Sequence, residues 1–349
     1  MLGVIRFGAM AIVAVGTQAT TVLANQIHTG GETGAYHSAF CPLLKSQLAA
    51  FGNTFECSPS DGTTANVRRV ASNPEHFAFG QLDAFTLENR TRQRASWFQV
   101  VRSNDVRECV FAVTSNKSLT NFGQLAVNAD RLKFVLPPKN SGSARTFAFL
   151  QSVDPEGLGR ARRVSYAADT DEALREALTD KSAVSFFVQF PDPRNDRFGS
   201  IRRLGGHLIP VVDSALLKER TNGRPIYSVQ DTGIAQERRL WNWLGKRVVT
   251  VCTPMILFTG ATRRVSGLGR RQDHARLVAT IRGLQQKDLV PKTGSFSRVL
   301  AQSRELSQQA VGHFVRLSSD ARERALPFLE RAYRSAQRGI HEMILKARP

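Results

Sequence analysis

Three short stretches place glycine beside hydroxyls just where an apolar run gives way to a helix-like pattern. The first is IHTGGETGAYHSAF, residues 27–40, with Gly30, Gly31, Gly34 and Tyr36. The second runs Ser60-Asp61-Gly62-Thr63-Thr64-Ala65-Asn66, and the third is Asn140-Ser141-Gly142-Ser143, just past a Pro-Pro strand end. The chemistry available is anion binding, because the first N–H groups of a helix have no partner within it and point at whatever lies ahead. Ser and Thr hydroxyls add donors. Ordinary helix capping uses the same residues, so what would separate a site from three caps is convergence on one cleft. His28, His37, Asp61 and Asp83 lie near these turns. No G-x-S-x-G elbow, phosphate-binding Walker loop or zinc spacing accompanies them. The chain therefore reads as a binding protein rather than an enzyme, with no cofactor and no metal.

The elements that would hold these turns alternate. Strand-like NQIHTG, TFECSPS and HFAFGQ are separated by helix-like 35–51 and GTTANVRRVAS, where Val67 and Val70 share a face. WFQVVRS and VRECVFAVTS follow. The pattern then restarts with LKFVLPP, a helix after Ser141-Gly142-Ser143, RRVSYAA, the acid-led helix DTDEALREALTD, and the almost wholly apolar AVSFFVQFP. HLIPVV, a short helix from Asp213, and KRVVTVCTPMILFTG complete this block. Such alternation is the mark of an α/β fold, in which ligands sit beyond the carboxyl ends of strands. From Gly267 the chain turns helical: Arg270–Leu284 and Ser295–Arg316 read as long polar helices, and Pro327–Lys346 as a last one.

Residues 1–24 carry one early charge, Arg6, an apolar stretch from Phe7 to about Val15, and the ending Val22-Leu23-Ala24. That pattern reads as a secretory leader cleaved before Asn25, which leaves about 325 residues, enough for two cored domains. The expected location is the periplasm. The formal charge of +19 is concentrated late. From Gly260 onward, 18 Lys and Arg face 7 Asp and Glu, giving +11; the first 259 residues carry 30 against 22, giving +8. A basic exported protein suits acidic solutes or anionic envelope surfaces and makes nucleic acid a poor partner. Four cysteines fit an oxidising compartment. Three pairings are possible; Cys41–Cys57 with Cys109–Cys252 is the expected one, and four buried thiols the alternative.

In order along the chain, four motifs resemble those of the TAXI family, the extracytoplasmic solute receptors of tripartite ATP-independent periplasmic (TRAP) transporters. Gly31-Glu32-Thr33-Gly34-Ala35-Tyr36 is similar to that family's first glycine loop. Gly62-Thr63-Thr64-Ala65-Asn66-Val67-Arg68 resembles its G-S-x-x-N-L-R helix start. Ser141-Gly142-Ser143 resembles its S-G-T turn, and Phe186-Phe187-Val188-Gln189-Phe190-Pro191-Asp192-Pro193 its F-F-V-x-G-x-P-x-P strand. The likeness spans residues 27 to about 285. It implies a two-lobed type II periplasmic binding protein fold with an additional C-terminal helical extension. Lobe 1 would be 25–115 plus 248–285, lobe 2 would be 116–247, and 286–349 a basic extension. VRECVFAVTS and KRVVTVCTPMILF would then be adjacent crossing strands, which gives the Cys109–Cys252 pairing a reason.

The motifs and their neighbours give a ligand set: Gly34, Tyr36, Thr63, Asn66, Ser141, Gly142, Ser143, Arg145, Phe187 and Gln189, with Gln81 and Asp83, at the end of HFAFGQLD, expected to contact an amine. Their common work would be to hold a small acidic solute, a carboxylate or amino acid, and the closed form would be read by TRAP membrane subunits. Two departures stand out. Ala144 occupies the place of the family's arginine, with Arg145 one residue on and so turned by about 100°. Phe190 replaces a glycine, which narrows the cleft. These changes and the long basic tail suit a rival reading, an envelope interaction or sensory protein that binds a protein or anionic polymer.

Overall fold

The computed structural model describes residues 25–235, 247–291 and 304–325. Residues 1–24, read above as a leader, residues 236–246 and the last helix expected at 327–346 lie outside them. Thirteen strands run in chain order: β1 Asn25–His28, β2 Phe55–Ser58, β3 Phe77–Gln81, β4 Phe98–Thr114, β5 Lys133–Leu136, β6 Arg163–Tyr166, β7 Ala183–Gln189, β8 His207–Ile209, β9 Arg220–Thr221, β10 Arg224–Pro225, β11 Ser228–Ala235, β12 Arg247–Gly260 and β13 Arg304–Glu305. The helices are α1 Cys41–Ala49, α2 Thr63–Ser72, α3 Leu82–Arg92, α4 Phe122–Val127, α5 Gly142–Val153, α6 Thr170–Thr179, α7 Asp196–Arg203, α8 Ser214–Lys218, α9 Leu268–Gly283, α10 Gln286–Leu289 and α11, residues 308–325. One π turn, Tyr36–Phe40, leads straight into α1.

Two long antiparallel strands organise the molecule. β4 has 17 residues and β12 has 14, and they lie side by side in the sheet order β2-β1-β3-β12-β4-β7-β5-β6. Their first-lobe ends (98–108 and 253–260) carry parallel β1–β3; β7, β5 and β6 continue from the far half of β4. The result is an α/β fold of two lobes sharing a pair of crossing strands. The parallel strands are apolar because helices cover both faces: β3 is buried at every position, and β7 at its first five.

Each lobe has its own core. Phe40, Phe55, Phe77, Phe79 and Ile281 fill the first. Phe122, Phe134, Phe147, Phe186 and Val251 fill the second. The helix starts follow from their residues. Asn121, Ser141, Asp169, Asn195 and Asp213 each accept a backbone N–H at the head of the following helix.

Two disulfides are present, Cys41–Cys57 and Cys109–Cys252, and none of the described cysteines is free. The second joins directly opposed residues of β4 and β12, at the point where the strands pass from one lobe to the other. The tail departs from its sequence reading. Arg304–Glu305 pair with β11 as an edge strand, and the helix begins only at 308. An exposed edge has unpaired backbone groups, and this pairing satisfies some of those on β11. Among the described residues no helix is long and apolar enough to cross a membrane.

Candidate functional site

The loop Gly30–Ala39 of the first lobe faces Val188–Arg197 of the second across a cleft of about 540 Å³, with Glu108 of β4 at its floor. Gly34, Tyr36 and Gln189 line it. So do Asp192, part of the strand motif but not of the expected ligand set, and Asn195 and Arg197, which no motif indicated. Arg197 bonds Asp171 at 2.7 Å and the Gln189 Oε1 at 2.6 Å. Gly34 accepts N–H groups from His37 and Ser38, which turns the loop into the helix that runs on through α1.

Glu108 is the chemically distinctive residue. It is 8% exposed, and the Tyr36 hydroxyl donates to its Oε2. Burial raises its pKa from 4.5 to about 7; hydrogen bonds from Tyr36 and Gln81 oppose the rise, and the charge of Asp83 adds to it. Burial, with the Glu108 charge and hydrogen bond, lifts the Tyr36 phenol well above its usual range. The pair therefore offers a donor and an acceptor near neutral pH, and Glu108 ionises readily beside a cation. A clue existed in the sequence, since an acid inside the apolar run VRECVFAV is rarely left buried without a role or a partner.

The other predicted residues lie deeper. The glycine turns heading α2 and α5 meet face to face: a Cβ on Gly62 would stand 3.5 Å from the Asn140 carbonyl and 3.6 Å from the Gly142 nitrogen. A Cβ on Gly142 would displace the amide end of the Gln81 side chain, so the head of α5 sits directly against β3 of the first lobe. Thr63 accepts the Gln81 N–H at 3.2 Å. Asn66 donates to the carbonyls of Thr29, at 2.5 Å, and Phe79, at 2.8 Å. Ser141 caps α5, and Ser143 accepts the Val188 N–H at 2.9 Å. Asn66 Oδ1, Gln81 Oε1 and Arg145 Nε are buried without partners.

Other predicted residues bond across the lobes. Asp83 accepts from Thr146 at 2.7 Å and Tyr227 at 2.8 Å, and burial raises its pKa against those bonds. Arg145 pairs with Glu88 of α3. Phe187 is 1% exposed, packed between Phe111 and Phe198 in the second-lobe core rather than at the cleft surface.

Phe190, where the resembled family has glycine, closes the inner end of the cleft. It is 7% exposed and belongs to the first lobe's core although it follows β7. Its ring lies 5.5 Å from Phe40 and 6.5 Å from Tyr36. Elsewhere, His28 contacts His76 at 3.0 Å and Arg69 at 3.3 Å. Among the described residues no group of three or more His, Cys, Asp or Glu side chains is placed to hold a metal ion.

No protein-family model matches the chain, and no curated protein does. Among solved structures it is similar to PhnD1 from Prochlorococcus marinus (MIT 9301) in complex with methylphosphonate: TM-score 0.44, 11% identity, covering 85% of this chain and 97% of that one. It is similar to a structure described as a periplasmic transporter, at TM-score 0.42, 11% identity, and coverage of 88% and 96%. It is also similar to the GluR0 ligand-binding core with L-glutamate, at TM-score 0.39, 9% identity, and coverage of 77% and 99%. These are distant likenesses of chain path; the chemistry of the cleft rests on its own residues.

Proposed function

We propose that this protein is an exported solute receptor that closes two lobes, joined through β4 and β12, on a small amino acid or amine-bearing carboxylate. The observation that carries the reading is the 540 Å³ cleft, walled by both lobes and floored by Glu108. That volume falls within the range of small-molecule sites. The solute amine would meet Glu108, whose proton leaves readily beside a cation. Its carboxylate would meet the amide end of the helix that starts at Tyr36, or Arg197. Binding favours the closed form because only there do both walls touch one solute. Handing the solute to a TRAP-type membrane transporter is the finer part of the proposal, and it rests on the motif resemblance. Export rests on the leader-like residues 1–24 and on the two disulfides.

The test is thermal unfolding of the exported protein against amino acids and organic acids. A solute at about 100 times its Kd adds about 2.7 kcal/mol of stability, and Glu108→Ala abolishes that gain for an amine-bearing solute. A second reading, an envelope interaction protein, is favoured by one observation. The lobes already bond each other through Glu88–Arg145, Asp83–Tyr227 and Phe190. No stabilisation by any solute, with retained capture of envelope components, supports that second reading instead.

A further inference from the structure

A second cavity of about 410 Å³ lies between the lobes and shares no residue with the cleft. Its base is apolar: Phe85 of α3 is 6% exposed and Phe98 of β4 is 7% exposed, with their rings 5.8 Å apart, and Val100 stands beside them. Its roof comes from the other lobe, the β9–β10 hairpin. Asn222 and Gly223 make that turn with φ of 49° and 77°. Two positive angles in a two-residue Asn-Gly loop give a tight, well-defined hairpin, so the roof is held in place rather than draped.

The polar groups at this cavity are of two kinds. Arg90 is committed: it bonds Glu219 at 2.9 Å and the Arg220 carbonyl at 3.0 Å. Arg224 is exposed, and its one hydrogen bond is a long 3.4 Å contact to the Ser103 hydroxyl. Among the described residues no carboxylate pairs with it. Asn89 is 6% exposed, lines the wall, and has a buried Oδ1 with no partner. An amide in that condition can turn to present either end to a ligand.

We propose that this cavity is a second binding site, for a small amphipathic carboxylate. An aromatic or short aliphatic body would lie on Phe85, Phe98 and Val100, the carboxylate would pair with Arg224, and a hydroxyl or N–H on the body would meet Asn89. An apolar base with a few placed polar groups is the usual composition of such a site, and an arginine without an anion is its least satisfied member. Because base and roof come from different lobes, an occupant contacts both only in the closed form. It therefore raises the affinity of any ligand that prefers that form.

The probe is 4-hydroxyphenylacetate, titrated calorimetrically into the full exported chain, with its neutral amide as control. The acid binds the wild type, and the amide binds at least tenfold more weakly. Arg224→Gln weakens the acid at least tenfold, and Val100→Trp, which fills the base, abolishes binding. The proposal is overturned if the acid does not bind the wild type, if acid and amide bind alike, or if Arg224→Gln and Val100→Trp bind as the wild type does. A failure of the cleft to bind amino acids leaves these outcomes untouched, so the two readings are tested separately.

Discussion

Glu108 and His28 pull the stability of this protein in opposite directions as pH changes. Glu108 keeps its proton in the folded chain up to about pH 7 against 4.5 when unperturbed. Between those values the folded state binds more protons, so this group's contribution falls as pH rises. Burial, with the nearby charges of His76 and Arg69, lowers His28 from 6.5 to about 4. There the unfolded state binds more protons, and stability falls as pH drops through that window. The two shifts are of similar size and largely cancel from pH 4.5 to 6.5. Burial also lowers His76, His207 and His274, which tips the balance toward loss in acid. Glu108→Gln removes the opposing group. Its unfolding free energy from urea titration should exceed that of the wild type at pH 7, by on the order of 3 kcal/mol, and the difference should shrink toward zero at pH 4.5. A difference independent of pH contradicts the buried, protonated Glu108. Little of this was legible in sequence. Tyr36 was singled out from its glycine loop, but its partner is 72 residues away, and a glutamate in a strand does not announce which face it takes. Thr63, Ser141 and Ser143 were legible as helix-start residues, because capping is local; whether their groups face a ligand depends on how far the lobes close.

At the scale of elements, β4 and β12 make one molecule of two lobes, and two features fasten them. The Cys109–Cys252 bridge closes a separation of 143 residues. On the chain-entropy model such a loop is worth about 5 kcal/mol, so replacing both cysteines with alanine should lower the unfolding free energy by up to that order, read as a lower denaturant midpoint, without abolishing the fold. An unchanged midpoint contradicts it. Phe190 is the other fastener, because it leaves one lobe and packs into the core of its neighbour. Phe190→Gly should cost about 3 kcal/mol, and should enlarge the radius of gyration in solution scattering as the lobes part. A variant as compact as the wild type contradicts a fastening role. The alternation of strands and helices was readable because apolar periodicity and caps are local signals. The edge strand at Arg304–Glu305 was not, since pairing with β11 across more than 70 residues overrides a helical pattern.

On the scale of the whole molecule, the basic tail is partly a structural member. Val311, Phe314 and Val315 of α11 pack on the second-lobe core. A side chain at Gly123 would collide with the Ser318 backbone, so the helix lies directly on α4. Ser318 donates to Asp213 at 3.0 Å, and Arg322 bonds both oxygens of Asp154, at 3.0 and 2.8 Å. Asp154 and Asp213 are 5% exposed, Arg322 also lies 3.2 Å from Asp213, and removing the arginine takes the cation away from two buried carboxylates. Arg322→Ala should therefore cost about 3 kcal/mol, read as a lower thermal midpoint at pH 7; a midpoint unchanged within error contradicts the docking. Charge counting located the basic tail, but that α11 rests on the second lobe follows from packing that no local pattern encodes. The central claim, that both lobes hold one small solute over Glu108, is tested most directly by a crystal structure of the protein grown with the most stabilising amino acid. The account predicts density for one solute touching Tyr36, Glu108 and Arg197. A cleft holding only ordered water, with the amino acid bound elsewhere or nowhere, would contradict it.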